Sequence, residues 1–282
     1  MSLTPSTTVR SADGSTLAVY ELGGSGPVLL IAHATGFCAA MYRQLAGHLA
    51  ARFRVVALDF RGHGNSARQE GIDLGWDRMG EDALAVVERA ADGGRVHAMG
   101  HSMGGGALLL AAQAQPALFR TLYLFEPIVF PEGLPTEGQN LMAETARRRK
   151  AEFASRAELL YRYAARPPFD KLLAGVLVDY IDNGFDKLEH GHVRLKCLPE
   201  HEAQIFEGGR TMFLSRIAGV TTPTLVAVGH EEEGPSPSRF GRPLADTLAH
   251  AELRVYPNVG HFGPFQDPWT IARDLTAHAA AH

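Results

Sequence analysis

Residues 96–110 read V-H-A-M-G-H-S-M-G-G-G-A-L-L-L. Val96 to Met99 form a short apolar run of the kind that makes a strand buried on both faces. Gly100, His101, Ser102, Met103 and Gly104 follow with no spacer, and an Ala/Leu-rich helix begins at once. A chain that passes from strand to helix in so few residues holds its central residue in a strained backbone conformation. Side chains two positions either side would collide there, which calls for glycine at both. Gly100-x-Ser102-x-Gly104 in this setting is a nucleophile elbow. It lifts the Ser102 hydroxyl above the sheet and sets it at a helix N-terminus, where unpaired N–H groups and the helix dipole favour developing negative charge. The alternative is a glycine-rich turn in which Ser102 fills space.

Working outward, residues 7–10 and 16–20 alternate like half-buried strands around an Asp13-Gly14 turn, the mark of a hairpin. Residues 28–32 and 55–58 are continuous apolar runs, with helical patterns at 40–52 and 77–91 between and after them. Residues 122–125 form another short strand that stops at Glu126-Pro127. Strand and helix alternate throughout, which implies a parallel sheet with helices on both faces, an α/β fold. From residue 129 the pattern changes to amphipathic helices near 139–153, 157–165, 169–183 and 199–215. The sheet pattern resumes at 224–228 and 253–256, with helices at 237–249 and 268–280. The expected organisation is a core of residues 1–128 and 218–282, with residues 129–217 as a helical cap.

Composition narrows the function. With 45% apolar and 21% charged residues, the chain is that of an ordinary globular protein with a sizeable core. A formal net charge of −4 gives no basis for non-specific binding to nucleic acid or an anionic membrane. No apolar run reaches membrane-spanning length, and residues 1–20 lack the apolar stretch of a signal peptide. Cys38 and Cys197 make no disulfide framework, so the expected setting is the reduced cytoplasm.

A serine hydroxyl is a poor nucleophile until a base takes its proton. His261 is placed for this. It lies just past the last expected strand, in a glycine-flanked loop, and parallel strands bring their carboxyl ends to one edge. Gly100-His101-Ser102-Met103-Gly104, Asp59-Phe60-Arg61-Gly62-His63-Gly64-Asn65-Ser66, His33-Ala34-Thr35-Gly36 and Gly260-His261-Phe262 together resemble the α/β-hydrolase family in order and spacing. The resemblance spans nearly the whole chain outside the cap. It implies Ser102 as nucleophile and His261 as general base and then acid. It implies an oxyanion hole from the Met103 N–H and, from the His33 loop, the Thr35 N–H. Ala34 departs from the usual His-Gly pair there, which leaves the conformation of that loop open. His33 and His63 match positions that brace loops.

The acid has two candidates. The family commonly places an aspartate after the strand that here is residues 224–228. This chain offers Glu231, Glu232 and Glu233 instead, with Glu232 at the usual offset. Some members carry a glutamate at the end of the preceding strand, where this chain has Glu126. The longer side chain lets it reach the histidine from the neighbouring strand, and Glu126 is the assignment, with Glu232 the alternative.

The implied activity is cleavage of a small-molecule carboxylic ester through an acyl-enzyme, with no metal or organic cofactor. Lactone, thioester or carbon–carbon bond hydrolysis and cofactor-free perhydrolysis are near alternatives, and a non-catalytic ligand binder is the alternative from another class. Phe153, Tyr161, Tyr163, Phe169, Tyr180 and Phe185 are candidate pocket walls. Glu189, His190, His192, Cys197, His201 and Glu202 lack a fixed four-ligand spacing and read as polar cap surface rather than a zinc site. Arg147-Arg148-Arg149-Lys150 reads as a solvated helix face, and Cys38 as core filler.

Overall fold

The architecture is taken from a computed structural model and is described for residues 2–66, 71–134, 138–230 and 236–282. Strands β1 (Thr7–Arg10) and β2 (Thr16–Gly23) form the antiparallel hairpin expected around Asp13-Gly14. Strand β3 (Val28–Ala32) leads through a 3-10 turn at Ala39–Tyr42 into helix α1 (Arg43–Leu49), then β4 (Arg54–Asp59). Helix α2 (Trp76–Ala91) buries Met79, Ala83, Val86, Val87 and Ala90, one stripe at helical spacing, and ends where Asp92 turns left-handed. Strand β5 (Val96–His101), helix α3 (Met103–Ala114) and strand β6 (Phe119–Phe125) complete the first part.

Between β6 and the next core strand lie α4 (Leu141–Arg147), β7 (Glu152–Phe153), α5 (Arg156–Ala164), α6 (Ala174–Asn183), β8 (Phe185–Lys187), β9 (Val193–Leu195) and α7 (Pro199–Gly208). The chain closes with β10 (Thr224–Gly229), α8 (Gly241–Thr247), β11 (Ala251–Tyr256), α9 (Gly263–Gln266) and α10 (Pro268–Ala281).

The main sheet runs β1-β2-β4-β3-β5-β6-β10-β11, parallel from β4 to β11 and antiparallel through β2. Alternate residues face opposite sides. Leu29, Ile31, Val55, Ala57 and Met99 join one core with α1 and α10, while Leu30, Ala32, Val56, Leu58 and Ala98 join the other with α2 and α3. Both faces are covered, so these strands appear in the sequence as unbroken apolar runs. The strand order reverses between β3 and β5. From β3 the chain goes to one neighbour, β4, and later returns to the other, β5. Loops leaving the carboxyl ends of β3 and β5 therefore diverge and open a crevice, with His33 on one lip and Ser102 on the other. Helix α3 packs tightly beneath it. A Cβ on Gly104 would meet the Ala32 carbonyl oxygen at 2.2 Å, so only glycine lets that helix start so close to β3.

Arg61, wholly buried, ties the loop after β4 to the rest of the first half. Its Nε and Nη2 donate to both Asp82 oxygens at 2.9 and 2.6 Å. Nη1 donates to Asp13 at 2.7 Å and to the Asp73 carbonyl at 3.1 Å. Burial opposes the charge on Arg61, but the two carboxylates more than offset it.

The insertion differs in its element boundaries from the helical cap expected. Its first helix stops at Arg147 rather than near 153, the third begins only at Ala174, and the last stops at Gly208. Between them β7, β9 and β8 form a three-stranded antiparallel sheet. Strands of two or three residues are too short to show alternation. The insertion lies against the carboxyl edge of the main sheet. The Tyr180 hydroxyl donates to the Gly36 carbonyl at 3.1 Å, Lys196 to Asn65 at 2.5 Å, and the Leu173 N–H to the Phe265 carbonyl at 3.1 Å.

Candidate active site

Ser102 sits between β5 and α3 with φ +54° and ψ −118°, the strained turn its flanking glycines foretell. Its backbone is fixed on both sides. The Ser102 N–H donates to the Phe125 carbonyl at 3.0 Å, and its own carbonyl accepts from Gly105 at 3.0 Å and from Gly106 and Ile128 at 3.3 Å. Met103 opens α3, so its N–H has no partner within the helix.

The loop after β3 is held by two histidines. His33 Nδ1 donates to the Ala34 carbonyl at 2.8 Å, and its Nε2 accepts from Phe60 N–H at 2.9 Å. His63 Nδ1 donates to the Arg61 carbonyl at 3.0 Å, and its Nε2 accepts from Gly36 N–H at 3.0 Å. A carbonyl only accepts and an amide only donates, so each ring has one neutral tautomer that satisfies both neighbours. Ala34, the departure from the usual His-Gly pair, needs no left-handed backbone. That conformation falls to Gly36, at φ +77°, so alanine is accommodated.

His261 and Glu126 meet. His261 Nδ1 lies 2.7 Å from Glu126 Oε2, and Glu126 Oε1 accepts from Gly229 N–H at 2.8 Å. Glu126 is wholly buried at the end of β6 with a left-handed φ of +41°, a corner that turns its carboxylate across β10 toward the histidine loop. A carboxylate on Nδ1 holds the proton there and leaves the Nε2 lone pair free. His101, next to Ser102, bonds the His261 carbonyl at 2.8 Å across 160 positions of sequence, with ring centroids 5.1 Å apart. The serine and the histidine loop are thereby neighbours. Glu232 lies outside the described residues.

Aromatic residues of the insertion gather near this edge. Tyr163 stacks on Phe169 at 4.5 Å and Phe169 on Tyr180 at 5.5 Å, with Phe37 edge-on to both Phe169 and Tyr180. Phe153 and Phe185 pack behind them. Tyr161 is the exception among the candidate walls, 81% exposed on the outer face of α5.

The basic run is also not uniformly solvated. Arg147 pairs with Glu200 and Glu207, but Arg149 turns inward to Glu202 at 2.5 Å and to the Tyr163 and Tyr180 hydroxyls at 3.3 and 3.1 Å. The helix ends at Arg147, which frees Arg149 from the solvent face that helical spacing assigned it. Cys38 is buried, as a core filler should be. Among the described residues no group of three or more His, Cys, Asp or Glu side chains is arranged to hold a metal ion, and no helix is long and apolar enough to cross a membrane.

His33, His63, His97 and His101 are all buried, and this gives stability a pH signature. Burial holds His33 at about 4, His63 at about 3 and His97 at about 4, and pushes His101 well below the ordinary value. The unfolded chain, with histidines near 6.5, binds more protons than the folded one below that pH. Stability is therefore full above about pH 6.5 and falls as pH drops toward 4, by about 1.4 kcal/mol per pH unit for each such histidine. Urea midpoints should fall steeply between pH 7 and 5. Equal midpoints would show that these rings are not held neutral.

Comparison with known proteins agrees with the geometry. The sequence profile described as the alpha/beta hydrolase family matches residues 28–272. The chain is 26% identical over 244 residues to a bifunctional esterase/perhydrolase of Acinetobacter calcoaceticus, covering 83% of this chain and 84% of that protein. It is 28% identical over 253 residues to a 2-hydroxy-6-oxononadienedioate/2-hydroxy-6-oxononatrienedioate hydrolase of Cupriavidus pinatubonensis, covering 88% and 81%. Among solved structures, a peroxisomal alpha-beta-hydrolase of Saccharomyces cerevisiae superposes with a TM-score of 0.80 at 22% identity, covering all of this chain and 86% of the other.

Proposed function

We propose that this chain, which belongs to the alpha/beta hydrolase family, is a serine hydrolase that cleaves a small carboxylic ester through an acyl-enzyme on Ser102. The observation that carries the reading is the 2.7 Å contact between His261 Nδ1 and a buried Glu126, with His261 on a loop that His101, the neighbour of Ser102, bonds at 2.8 Å. It supports a base with a fixed tautomer and a counter-charge for the imidazolium.

The steps follow from that arrangement. Ser102 Oγ adds to the ester carbonyl carbon as its proton passes to His261 Nε2. The oxyanion is met by the Met103 and Thr35 N–H groups, and the imidazolium by the Glu126 carboxylate. The tetrahedral adduct collapses, the alkoxide leaves with the proton from His261, and the acyl group stays on Ser102. Water then gives a proton to His261 as its oxygen adds to the acyl carbon. The carboxylic acid departs, and Ser102 recovers its proton. Residues 129–217 act as a cap that shapes the acyl and alcohol sites over a core of 1–128 and 218–282.

Labelling with a fluorophosphonate tests the reading. Wild-type protein should react, and Ser102→Ala should take up none. A well-folded wild type that does not react would mark the chain as a binder that keeps the fold. A panel of p-nitrophenyl esters of increasing acyl length, run beside lactones and beside acetate with hydrogen peroxide, then ranks esterase against lactonase and perhydrolase. The ester series should give the highest kcat/KM.

A further inference from the structure

Two side chains outside the proposed triad link the two halves of the site. His101 is the last residue of β5, and Tyr42 ends the 3-10 turn before α1. Tyr42 Oη lies 2.8 Å from His101 Nδ1, and His101 Nε2 lies 2.8 Å from the backbone carbonyl of His261. At the other end, Ala34 N–H donates to the Tyr42 oxygen at 3.3 Å. The chain of bonds runs from the loop that carries Thr35 to the residue that carries the base.

Only one arrangement of protons satisfies it. The His261 carbonyl can only accept, so Nε2 bears the hydrogen and Nδ1 is an acceptor. The Tyr42 hydroxyl must then donate to Nδ1, and its oxygen is free to accept from Ala34. The surroundings make these bonds hard to replace. His101 is wholly buried, edge-on to Phe125 at 5.8 Å and to Phe265 at 5.5 Å, and Tyr42 packs on Phe265 at 4.9 Å. Between Tyr42 and His101 the bond is buried, so breaking it leaves a polar group unsatisfied in an apolar setting. Burial also keeps the ring neutral, which fixes the direction of every bond across the working pH range.

We infer that His101 is a positioning residue: with Tyr42 it sets the backbone of His261 and the Ala34–Thr35 loop against one shared reference, so that base and oxyanion donors reach the same carbonyl together. This rests on the reading of Ser102 and His261 as nucleophile and base. The bond reaches the carbonyl of His261 itself, so its loss moves the base relative to Ser102 rather than weakening substrate binding. Its effect belongs in kcat, not KM.

Substitutions that keep one nitrogen at a time separate this role from packing. His101→Gln keeps a donor at the ε position, facing the His261 carbonyl. His101→Asn keeps only an acceptor at the δ position, facing Tyr42, and loses the bond to His261. Misplacing a reacting group by an ångström costs about a hundredfold, so kcat on a p-nitrophenyl ester should fall about 50-fold or more in His101→Asn, with KM within about twofold. In His101→Gln and Tyr42→Phe, which retain the bond to His261, kcat should fall by about fivefold, the loss of one hydrogen bond. Equal losses in the Asn and Gln variants at equal thermal midpoints, or a loss carried by KM, would overturn the assignment. Should His101→Asn fail to fold, Tyr42→Phe decides: a fall of about fivefold in kcat at constant KM supports the link, and an unchanged kcat overturns it. Fluorophosphonate labelling of the wild type is run alongside. If Ser102 does not react, the reading of the site fails first and takes this role with it. If it reacts while the Asn and Gln variants behave alike, this role alone fails.

Discussion

Glu126→Gln should lower kcat on an activated ester by about ten-thousand-fold, the scale seen when the acid of a Ser-His-acid triad becomes its amide. The amide has nearly the same shape, and its oxygen can still accept from Gly229 N–H. Its NH2 group then faces His261 Nδ1. A donor there forces the proton of the neutral ring onto Nε2, pointing a hydrogen at the serine where a lone pair is needed. KM should change little, since Glu126 lies beneath the histidine and not against substrate. The thermal midpoint should hold or rise, because a wholly buried carboxylate is replaced by a neutral group of equal volume. Steady-state kinetics on Glu126→Gln and Glu232→Gln side by side make the comparison. The Glu232 variant should stay within about threefold of wild type, as expected where no transition-state interaction is lost. The reverse pattern would move the acid to the 231–235 stretch and leave the contact at 126 as a structural one.

Asp82→Ala should reduce the unfolding free energy by about 3–5 kcal/mol, the usual consequence of removing one partner from a buried ion pair. Arg61 and Asp82 have no exposed side-chain surface, and the carboxylate accepts from both Nε and Nη2. Without it the guanidinium keeps Asp13, whose side chain is 28% exposed, the Ser11 hydroxyl and one backbone carbonyl. That leaves a charge buried beside a void. The double variant Arg61→Met, Asp82→Leu should recover more than half the loss, because it removes the charge and refills the space. Equilibrium urea unfolding of the two variants reads both numbers. A loss below about 1 kcal/mol for the single variant would mean that solvent or Asp13 compensates, as at a surface pair.

The main sheet was legible because burial on both faces leaves unbroken apolar runs, and residues 28–32 match β3 end to end. The strand–turn–helix around Ser102 was legible because its glycines answer a steric demand that the local sequence states by itself. The insertion was less so. Where β7, β8 and β9 are two or three residues long, pairing rather than pattern makes them strands. Arg149 looked like part of a solvated stripe, and only the tertiary arrangement of Glu202, Tyr163 and Tyr180 makes it an interior residue. The choice between Glu126 and Glu232 stayed open for a related reason. Each follows an apolar run in the sequence, and the contact of Glu126 with His261 depends on a left-handed corner that no neighbouring glycine announces. His101 carries no sequence signal beyond standing next to Ser102.

The corner at residue 126 has an evolutionary corollary. On the proposed reading the counter-ion is drawn from the strand beside the nucleophile, and the stretch 231–235 is discharged from that office. It is at liberty to drift in length and charge, and substitutions there amount to raw material for retuning what enters the crevice. Diversity among descendants should therefore pool at 231–235, while the Phe125-Glu126-Pro127 corner stands still.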